Sequence, residues 1–433
     1  MFGRETTNKT KTPRITDLLP DGRELATNNE QPVHGEESPV EHHEVSRRTF
    51  LSTHVREGNL EIRAQIASTK GNVMHQFIRV ILVAAGCLIG WLTLASPTSA
   101  IANTHLVQPG DSIQAAVDAA SPGDTIMVRA GMYRESVKIQ TDGLTLRTEG
   151  SVTLKPLNYG DGQCYLPGHV AGICVVPADF DPSVGSYTTR VRDVTITGFR
   201  IVGFDDGVFG FGTEDLKVSD VVAIDNRDYG VASFDGIGTR FTRNATSGSQ
   251  DAGIYVGDSI DANAVVTNNR SWDNALGILI RHTHKVVVSH NEVWGNCLGV
   301  FLLSDIEAGG SGHIRVQHNR VSANNKVCPN FEGFLPDLGG GGIVLAGSQH
   351  DIIFQNVVTD NRGNTLFSGG IVLITNTLPN PDGSFDVSKD NLVALNGLSG
   401  NEPADIVTDA ASTPNIFVRN RCDTSIPEGL CSF

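Results

Sequence analysis

Large side chains and positive charge are both scarce in this sequence. Aromatic residues make up 6% of its 433 residues, which excludes a core built mainly from large rings. Residues 1–102 carry 11 basic and 11 acidic residues, so residues 103–433, with 22 basic and 37 acidic residues, hold the whole net charge of −15. A region this acidic repels nucleic acid and other polyanions unless a cation bridges the charges. We therefore expect no nucleic-acid partner.

Long apolar runs are also scarce. The longest is VILVAAGCLIGWLTLA at 80–95, which is shorter than the ~20 residues of a membrane-spanning helix. Arg79 precedes the run and Ala100 and Ala102 follow it, a pattern typical of a signal peptide with an A-x-A cleavage site. Two interpretations stay open: 74–102 is a cleaved signal peptide, or 78–96 remains as a membrane anchor. Both predict an exported protein that meets the membrane only through this segment.

The remaining chain divides into a polar extension and one domain. Residues 1–73 lack a sustained apolar period, and we interpret them as disordered or as an extension from a start site assigned too early. Residues 103–433 form the predicted domain, which holds six of the seven cysteines; Cys87 lies in the apolar run. Export favours disulfides over free thiols. Pairing of near neighbours predicts three bridges: Cys164–Cys174, Cys297–Cys328 and Cys422–Cys431.

A short helix is predicted at the start of this domain, in GDSIQAAVDAASPGDTIMV at 110–128. Asp111 stands at the N-cap position with Gln114 three residues later, the spacing of a capping box. Ile113 and Val117 lie on one apolar stripe, and Gly123 ends the pattern. Short strands follow the helix, broken by glycine and aspartate.

Asparagine then returns at regular intervals after short apolar strands. One repeat position is assigned to Asn244, Asn269, Asn291, Asn319, Asn356, Asn391 and Asn420. Five residues after these stand Ser249, Asn274, Asn296, Asn324, Asn361 and Asn396. A period of about 20–50 residues is typical of a solenoid. Since asparagine at one bend of every coil can bond its neighbours, we predict a structural ladder.

A second repeated mark is a glycine followed by apolar residues, as in GIYVG at 253 and GVFLL at 299. Each coil thus holds about three short strands. Alternate residues of a strand face opposite ways, so the residue after the glycine should point into the core. These inward positions are Val231, Ile254, Ile278, Val300, Ile343 and Ile371.

These repeats, together with SIQAAVDAASPGDTIMVRAGMYRESVKI at 112–139, resemble the right-handed parallel β-helix of the pectin-lyase-like superfamily. The resemblance covers roughly 105–433 and implies an all-β solenoid whose N-terminal helix caps the first coil. Insertions are predicted at 156–193, 325–341, 362–369 and 375–386. The superfamily includes lyases, hydrolases, epimerases, methylesterases and a periplasmic protein that helps build a copper site. Neither the Gly-His-Gly and Arg-Ile-Lys signature of polygalacturonases nor the Asp-Pro-His-Asp run of alginate epimerases is present, so no single activity transfers.

Three aspartates mark one candidate site. Asp205, Asp228 and Asp251 each stand two residues before the glycine mark, 23 residues apart, which stacks them at a spacing of ~4.8 Å in adjacent coils. Like charges at this spacing are unfavourable unless they are protonated or bridged. The group therefore binds Ca²⁺, or works as an acid/base pair, or is a solvated row at a turn.

The outer face of the same strands is the second candidate. Phe209, Phe234 and Tyr255 are predicted to stack on sugar rings, and Arg281 to contact a uronate or stabilise charge. At the far end of the strands, Asp235, Asp258 and His282 share a position and are assigned to substrate binding. The alternative is that an insertion or the C-terminal tail covers this face.

These features predict an exported β-helix protein that engages a polysaccharide or cell-wall glycan. The leading function is a carbohydrate-active hydrolase or lyase/epimerase, with Asp205, Asp228, Asp251 and Arg281 as catalytic residues and Ca²⁺ as the one cofactor considered. The alternatives are a non-catalytic binding or structural protein, and accessory work on metals.

Overall fold

The computed structural model describes residues 102–157, 164, 169–181, 185–305, 310–329, 331–333 and 335–432. The predicted extension 1–73, the signal segment 74–102 except Ala102, and the alternative anchor 78–96 lie outside these residues. Within the described part of the chain, no helix has both the length and the apolar character that crossing a membrane requires.

Short strands dominate the chain from Thr104 onward. In chain order the elements are β1 Thr104–Val107, α1 Ile113–Asp118, β2 Thr125–Arg134, β3 Val137–Ile139, β4 Thr145–Lys155, β5 Ala171–Val175, β6 Val191–Arg192, β7 Thr195–Val202, β8 Asp206–Phe211, β9 Thr213–Glu214, β10 Lys217–Ser219, β11 Val222–Ile224, β12 Val231–Phe234, β13 Arg240–Thr242, β14 Ala245–Ser247, β15 Ala252–Asp261, β16 Val265–Thr267, β17 Arg270–Trp272, β18 Leu276–His284, β19 Val287–Ser289, β20 Glu292–Trp294, β21 Leu298–Leu303, β22 Arg315–Gln317, β23 Arg320–Ser322, β24 Val327–Cys328, a 3₁₀ turn Phe331–Gly333, β25 Leu338–Gly339, β26 Gly341–Ala346, β27 Ile352–Phe354, β28 Val357–Thr359, β29 Gly369–Ile374, β30 Asn391–Ala394, β31 Gly397–Ser399, β32 Ile406–Thr408, β33 Asn415–Val418 and β34 Ser425–Ile426.

The strands stack in three parallel columns. The first column runs β10-β13-β16-β19-β22-β27-β30-β33, and the second runs β11-β14-β17-β20-β23-β28-β31. The longer β7 pairs with both β10 and β11, so both columns begin on it. The strands β1, β2 and β4 stack before β7 in the same sheet. The third column runs β3-β5-β8-β12-β15-β18-β21-β26-β29-β32-β34. One turn of chain adds one strand to each column, which is the architecture of a parallel β-helix.

The core lies inside the coils and follows the predicted pattern. All six residues that follow the glycine marks are fully buried and belong to the main apolar cluster. They pair directly along the third column, for example Ile254 with Ile278 and Ile278 with Val300. A one-residue shift of register would expose this whole row, so each coil fixes the position of the next.

The predicted asparagine ladder is confirmed by its hydrogen bonds. Asn319 donates through Nδ2 to Asn356 Oδ1 at 3.0 Å and to the Val288 carbonyl at 2.9 Å. Its own Oδ1 accepts the backbone N–H and the Nδ2–H of Asn291, both at 2.9 Å. The side chain is buried, and buried polar groups must be satisfied. The ladder therefore satisfies the buried N–H, carbonyl and amide groups at the bends of successive coils.

The assignment of Asn391 to this ladder is wrong. Asn356 donates its backbone N–H to Asn396 Oδ1 at 2.9 Å, forty residues on, and Asn361 donates to Asn401 Oδ1. Asn391 instead accepts the N–H of Asp351 at 2.8 Å. The segment 375–386 lengthens this coil, so the 22–25-residue period no longer identifies the partner.

The segment 156–193 is only partly an insertion. Residues Ala171–Val175 form β5, which pairs with β3 on one side and β8 on the other. This stretch therefore continues the third column.

The predicted helix is present, but its N-cap is Ser112 and not Asp111. Ser112 Oγ accepts the N–H of Ala115 at 3.1 Å, and the Glu135 carboxylate accepts the N–H groups of Ile113 and Gln114. The Asp111 side chain instead accepts the N–H of Gln108, three residues earlier in the chain. The capping box does not form because the Glu135 carboxylate, between β2 and β3, accepts the free N–H groups of the first turn. That the helix caps the first coil stays a prediction.

Replacing Asn319 by alanine should destabilise the protein strongly. The change removes two donors and one acceptor from buried partners, and each buried group left unsatisfied costs about 1–3 kcal/mol. We expect the free energy of unfolding to fall by roughly 3 kcal/mol or more in urea titrations. The exposed Asn325 supplies the matched control; equal losses in Asn319→Ala and Asn325→Ala would contradict the ladder's role.

Asp351 should make stability depend on pH. Its fully buried carboxyl group accepts hydrogen bonds from Ile314 N–H and Ser348 Oγ, and burial raises its pKa from 3.8 to about 7. The folded state holds this proton more tightly than the unfolded state, so stability should fall as the pH rises from about 4 to 7. Asp351→Asn should remove that slope and gain on the order of a few kcal/mol at pH 8.

Urea unfolding at pH 5 and pH 8 measures the effect. The exposed Asp390→Asn variant is the control, and the interpretation fails if Asp351→Asn shows the same slope as the unmodified chain.

Candidate functional site

The outer face of the third column is covered. Phe209 and Tyr255 are buried, and Phe234 is half-buried between them at centroid distances of 5.2 and 4.3 Å. Phe180 and Tyr187 pack on Phe211, and other covering residues of the same cluster are Phe331, Leu335 and Phe367. The structure thus agrees with the alternative of a covered face. Stacking of Phe209 or Tyr255 on a sugar would require the covering segments to move.

The aspartate row lies at the bend that leads into this face. Asp228 donates its N–H to the Asp205 carbonyl at 2.8 Å, and Asp251 donates to the Asp228 carbonyl at 3.2 Å, so the predicted stacking is confirmed. Asp205 and Asp251 are only 7% and 6% exposed, whereas the Asp228 side chain is 47% exposed. Asp205 also accepts Val170 N–H and pairs with Arg227. Asp228 is therefore the member open to a solute, and the roles assigned to the row stay predictions.

Sequence reasoning missed two members of this bend, His169 and Asp206. His169 Nε2 lies 2.8 Å from Asp228 Oδ2, and its Nδ1 lies 3.3 Å from Asp206 Oδ2. We call His169, Asp206 and Asp228 the His169 group. Each residue offers one metal-ligating atom, all within 4.8 Å of one another. No repeat links His169 to the aspartates, because it comes from the irregular chain before β5.

Electrostatics couple the His169 group. Burial raises the pKa of Asp206 to about 7, although the charge of His169 opposes this. Burial lowers the pKa of His169, but the hydrogen bond with Asp228 and the charges of Asp206, Asp228 and Asp205 outweigh it, so the pKa is raised. Burial and charge therefore act in opposite directions on both His169 and Asp206.

The second polar cluster lies at the opposite end of the same strands. Asp235, Asp258 and His282 occupy one bend position with positive φ of 46°, 55° and 48°, as their common register predicts. Asp258 accepts the Tyr255 hydroxyl at 2.8 Å and contacts His282 Nδ1 at 2.9 Å. Its side chain is 40% exposed. This bend therefore presents a solvent-facing carboxylate held by two neighbours.

Asp305, which sequence reasoning did not identify, fixes the cations of this cluster. Arg281 donates to it through Nε at 2.8 Å and Nη2 at 2.7 Å, and His282 Nε2 lies 2.6 Å from its Oδ1. Tyr255, Asp258, Arg281, His282 and Asp305 are called the Asp258 group. Asp305 follows the end of β21 and belongs to no repeat position, which is why the pattern did not reveal it.

The Asp258 group holds its charges at neutral pH. Burial raises the pKa of Asp305, but His282 and Arg281 outweigh this and bring it to about 2. Burial lowers the pKa of His282, but hydrogen bonds with Asp258 and Asp305 outweigh this and raise it to about 9. His282 is therefore an imidazolium ion beside the exposed carboxylate. Arg281 keeps some exposure, with 24% of its side chain open.

Asp235 is engaged by the covering segment. Arg190 Nη2 lies 2.9 Å from Asp235 Oδ1, and the Tyr187 hydroxyl donates to its other oxygen. Burial and this hydrogen bond raise the pKa of Tyr187. Asp235 thus anchors the segment, while Asp258 in the next coil remains open.

The predicted disulfides are confirmed. Bridges join Cys164 to Cys174, Cys297 to Cys328 and Cys422 to Cys431, with Cα–Cα distances of 5.7, 6.0 and 5.4 Å. The first ties the segment before β5 to that strand, and the second ties 325–341 to the coil below. Two of the three therefore fasten segments that leave the regular path.

Known proteins support this architecture. Residues 206–380 match the family model described as a right handed beta helix region. Two solved structures are similar: the A-modules of the mannuronan C-5 epimerases AlgE6 and AlgE4 of Azotobacter vinelandii. Both are 18% identical, with TM-scores of 0.53 and 0.52; the matches cover 72% and 71% of this chain and 90% of each module. A search of curated proteins finds no match.

The chain has a right-handed parallel β-helix fold, which confirms the fold that the resemblance in the repeats implies. At 18% identity the solved structures speak for the fold and not for the chemistry.

His282 should give stability a pH dependence at the alkaline end. Its folded pKa of about 9 lies above the ordinary 6.5, so its contribution is complete below pH 6.5 and is lost as the pH rises through 9. His282→Gln should be less stable than the unmodified chain by a few kcal/mol at pH 6, and this gap should narrow toward pH 9.5. Urea unfolding across this range tests it.

The exposed His350→Gln variant is the control, because its difference from the unmodified chain should stay small at every pH. A gap for His282→Gln that is constant with pH would contradict the charged imidazolium.

Proposed function

We propose that this protein acts outside the cytoplasm on a polyuronate, by removing the proton next to the uronate carboxylate at the Asp258 group. The observation that carries the proposal is the exposed Asp258 carboxylate, held by Tyr255 and His282 and flanked by the fixed cation Arg281. A positioned base beside fixed positive charge is the arrangement that proton abstraction α to a carboxylate requires.

The chemistry assigns a role to each residue. Asp258 takes the C5 proton, and the electron pair of the broken C–H bond passes into the sugar carboxylate. Arg281 and His282 stabilise that charge, and Asp305 holds both cations in place. Expulsion of the 4-linked oxygen, which takes a proton from water, then gives the unsaturated lyase product. Transfer of a proton from water to the opposite face of C5 instead gives the epimer, and Asp258 returns its own proton to water. Hydrolysis is less well supported, since the neighbouring Asp235 is committed to Arg190 and Tyr187 and a hydrolase needs two working carboxyl groups.

The similar structures support the choice of substrate. The two A-modules are mannuronan C-5 epimerases by name, and mannuronan is a polyuronate. This chain lacks an Asp-Pro-His-Asp run, so the proposal rests on the geometry of its own residues. Polymannuronate is accordingly the first substrate to test.

Export is part of the proposal. Three disulfides fit an oxidising compartment such as the periplasm or the exterior. Extracellular and periplasmic spaces are also where polysaccharides are available.

A second candidate is a non-catalytic glycan-binding protein. One observation favours it: Tyr255 is 1% exposed, so the phenol reaches no solute while the cover is in place. This candidate predicts binding of the polymer without exchange of its C5 hydrogen.

Asp258→Asn should keep the fold and lose turnover. Loss of the base should reduce the rate by ~10²–10⁴-fold. NMR in D₂O on polymannuronate, polygalacturonate and a neutral glucan detects both reactions, because epimerisation incorporates deuterium at C5 and lyase chemistry produces a 4,5-unsaturated end. Asp228→Asn, at the other bend, is the matched control and should remain active.

Three outcomes separate the alternatives. Full activity of Asp258→Asn would refute the assignment, and loss confined to Asp228→Asn would move the site to the aspartate row. Retained polymer binding with neither exchange at C5 nor an unsaturated product in the unmodified chain would establish the binding function.

A further inference from the structure

The His169 group is not used by the proposed reaction. It lies at the bend before β8 and β12, at the opposite end of these strands from Asp258. His169 precedes β5, Asp206 begins β8 and Asp228 stands just before β12, and these strands are consecutive in the third column. The three side chains therefore converge from three adjacent coils.

The charges within this group do not balance. Asp206 and Asp228 place two carboxylates against one imidazole. Even with His169 protonated, the three groups carry one net negative charge when both carboxyl groups are ionised. The Asp206 side chain is wholly buried, and a buried charge without sufficient compensation is costly.

We propose that His169, Asp206 and Asp228 bind one divalent transition-metal ion, with Zn²⁺ the best match. An imidazole nitrogen with two carboxylate oxygens is a ligand set that suits zinc, with water in the fourth position. Calcium is disfavoured because it takes oxygen ligands. The ion would offset the net negative charge of the group.

The spacing of the ligand atoms fits this ion. Zinc–nitrogen and zinc–oxygen bonds of about 2.0–2.2 Å at a tetrahedral angle place two ligand atoms about 3.4 Å apart. His169 Nδ1 and Asp206 Oδ2 are separated by 3.3 Å. One ligand atom of each of the three residues lies within 4.8 Å of the others. Asp228 contacts Nε2 on the other side of the imidazole from Asp206, and its half-exposed side chain would have to turn to reach an ion at Nδ1.

The function of the ion would be to clamp the chain before β5 onto the coils of β8 and β12. Binding displaces the proton that His169 shares with the carboxylates, so metal uptake should release protons. The clamp would act beside the Cys164–Cys174 bridge, which fastens the same segment.

The test uses the full chain after treatment with EDTA and dialysis. Zn²⁺, Mn²⁺ and Ca²⁺ are titrated separately by calorimetry, and the melting temperature is followed with each ion. We expect one Zn²⁺ per chain, a higher melting temperature and weaker binding of the other two ions. His169→Gln, Asp206→Asn and Asp228→Asn should each weaken zinc binding by roughly tenfold or more.

Two variants serve as matched controls. Asp220→Asn alters an exposed aspartate paired with Arg243, and Asp258→Asn alters the proposed active site; both should bind zinc normally. The second control separates this inference from the proposed function, because Asp258→Asn loses turnover there and keeps the metal here.

Several results would overturn the site. Absence of zinc binding would show that His169 only bridges two carboxylates. Zinc binding that survives all three substitutions would place the ion elsewhere, and so would zinc binding that is lost in His313→Gln, a variant in the row of His284, His313 and His350. Calcium binding without zinc binding would instead support the oxygen-only aspartate row.

Discussion

The structure depends on the hydrogen-bonded stacking of buried asparagine side chains at the bends. Each amide satisfies a backbone N–H and a carbonyl of the preceding coil, as Asn319 does for Asn291 and Val288, and it bonds the amide of the next coil, as Asn319 does with Asn356. Because a buried amide is costly unless every partner is present, one coil in the wrong register would lose hydrogen bonds on both sides. The apolar rows add to this constraint, and the two candidate sites inherit their alignment from it.

The same constraint explains what could be predicted from the sequence. The glycine marks and asparagine steps correctly placed Ile254 in the core, and they aligned Asp228 with Asp205 and His282 with Asp258. Pairing of near-neighbour cysteines was right because each bridge links two cysteines that are close in the sequence and lie in the same coil or in neighbouring coils. Where the period was lost, after the long segment 375–386, the ladder position was assigned to Asn391, whereas Asn396, five residues later, occupies it.

The remaining functional residues could not be found by register. His169, Asp305 and Arg190 stand on irregular segments whose length says nothing about where they return to the surface, yet they contact Asp228, His282 and Asp235. Glu135 likewise replaced the expected capping box. Periodicity therefore predicts one residue of each of these polar contacts, and its partner comes from chain outside the repeat positions. A covered aromatic face was also left undecided by the sequence, since burial by an insertion depends on its fold.

The bend positions along the third column have a consequence for any linear molecule laid beside them. Successive coils advance by ~4.8 Å, and residues in one bend position are free to differ, because none of them enters the core. Asp235, Asp258 and His282 thus form a row of polar side chains along the axis of the solenoid, with one residue from each coil. A substitution at one of these positions changes the side chain of one coil and its contact with the next, as between Asp258 and His282, while the backbone register of the coils is set elsewhere, by the asparagine ladder and the apolar rows.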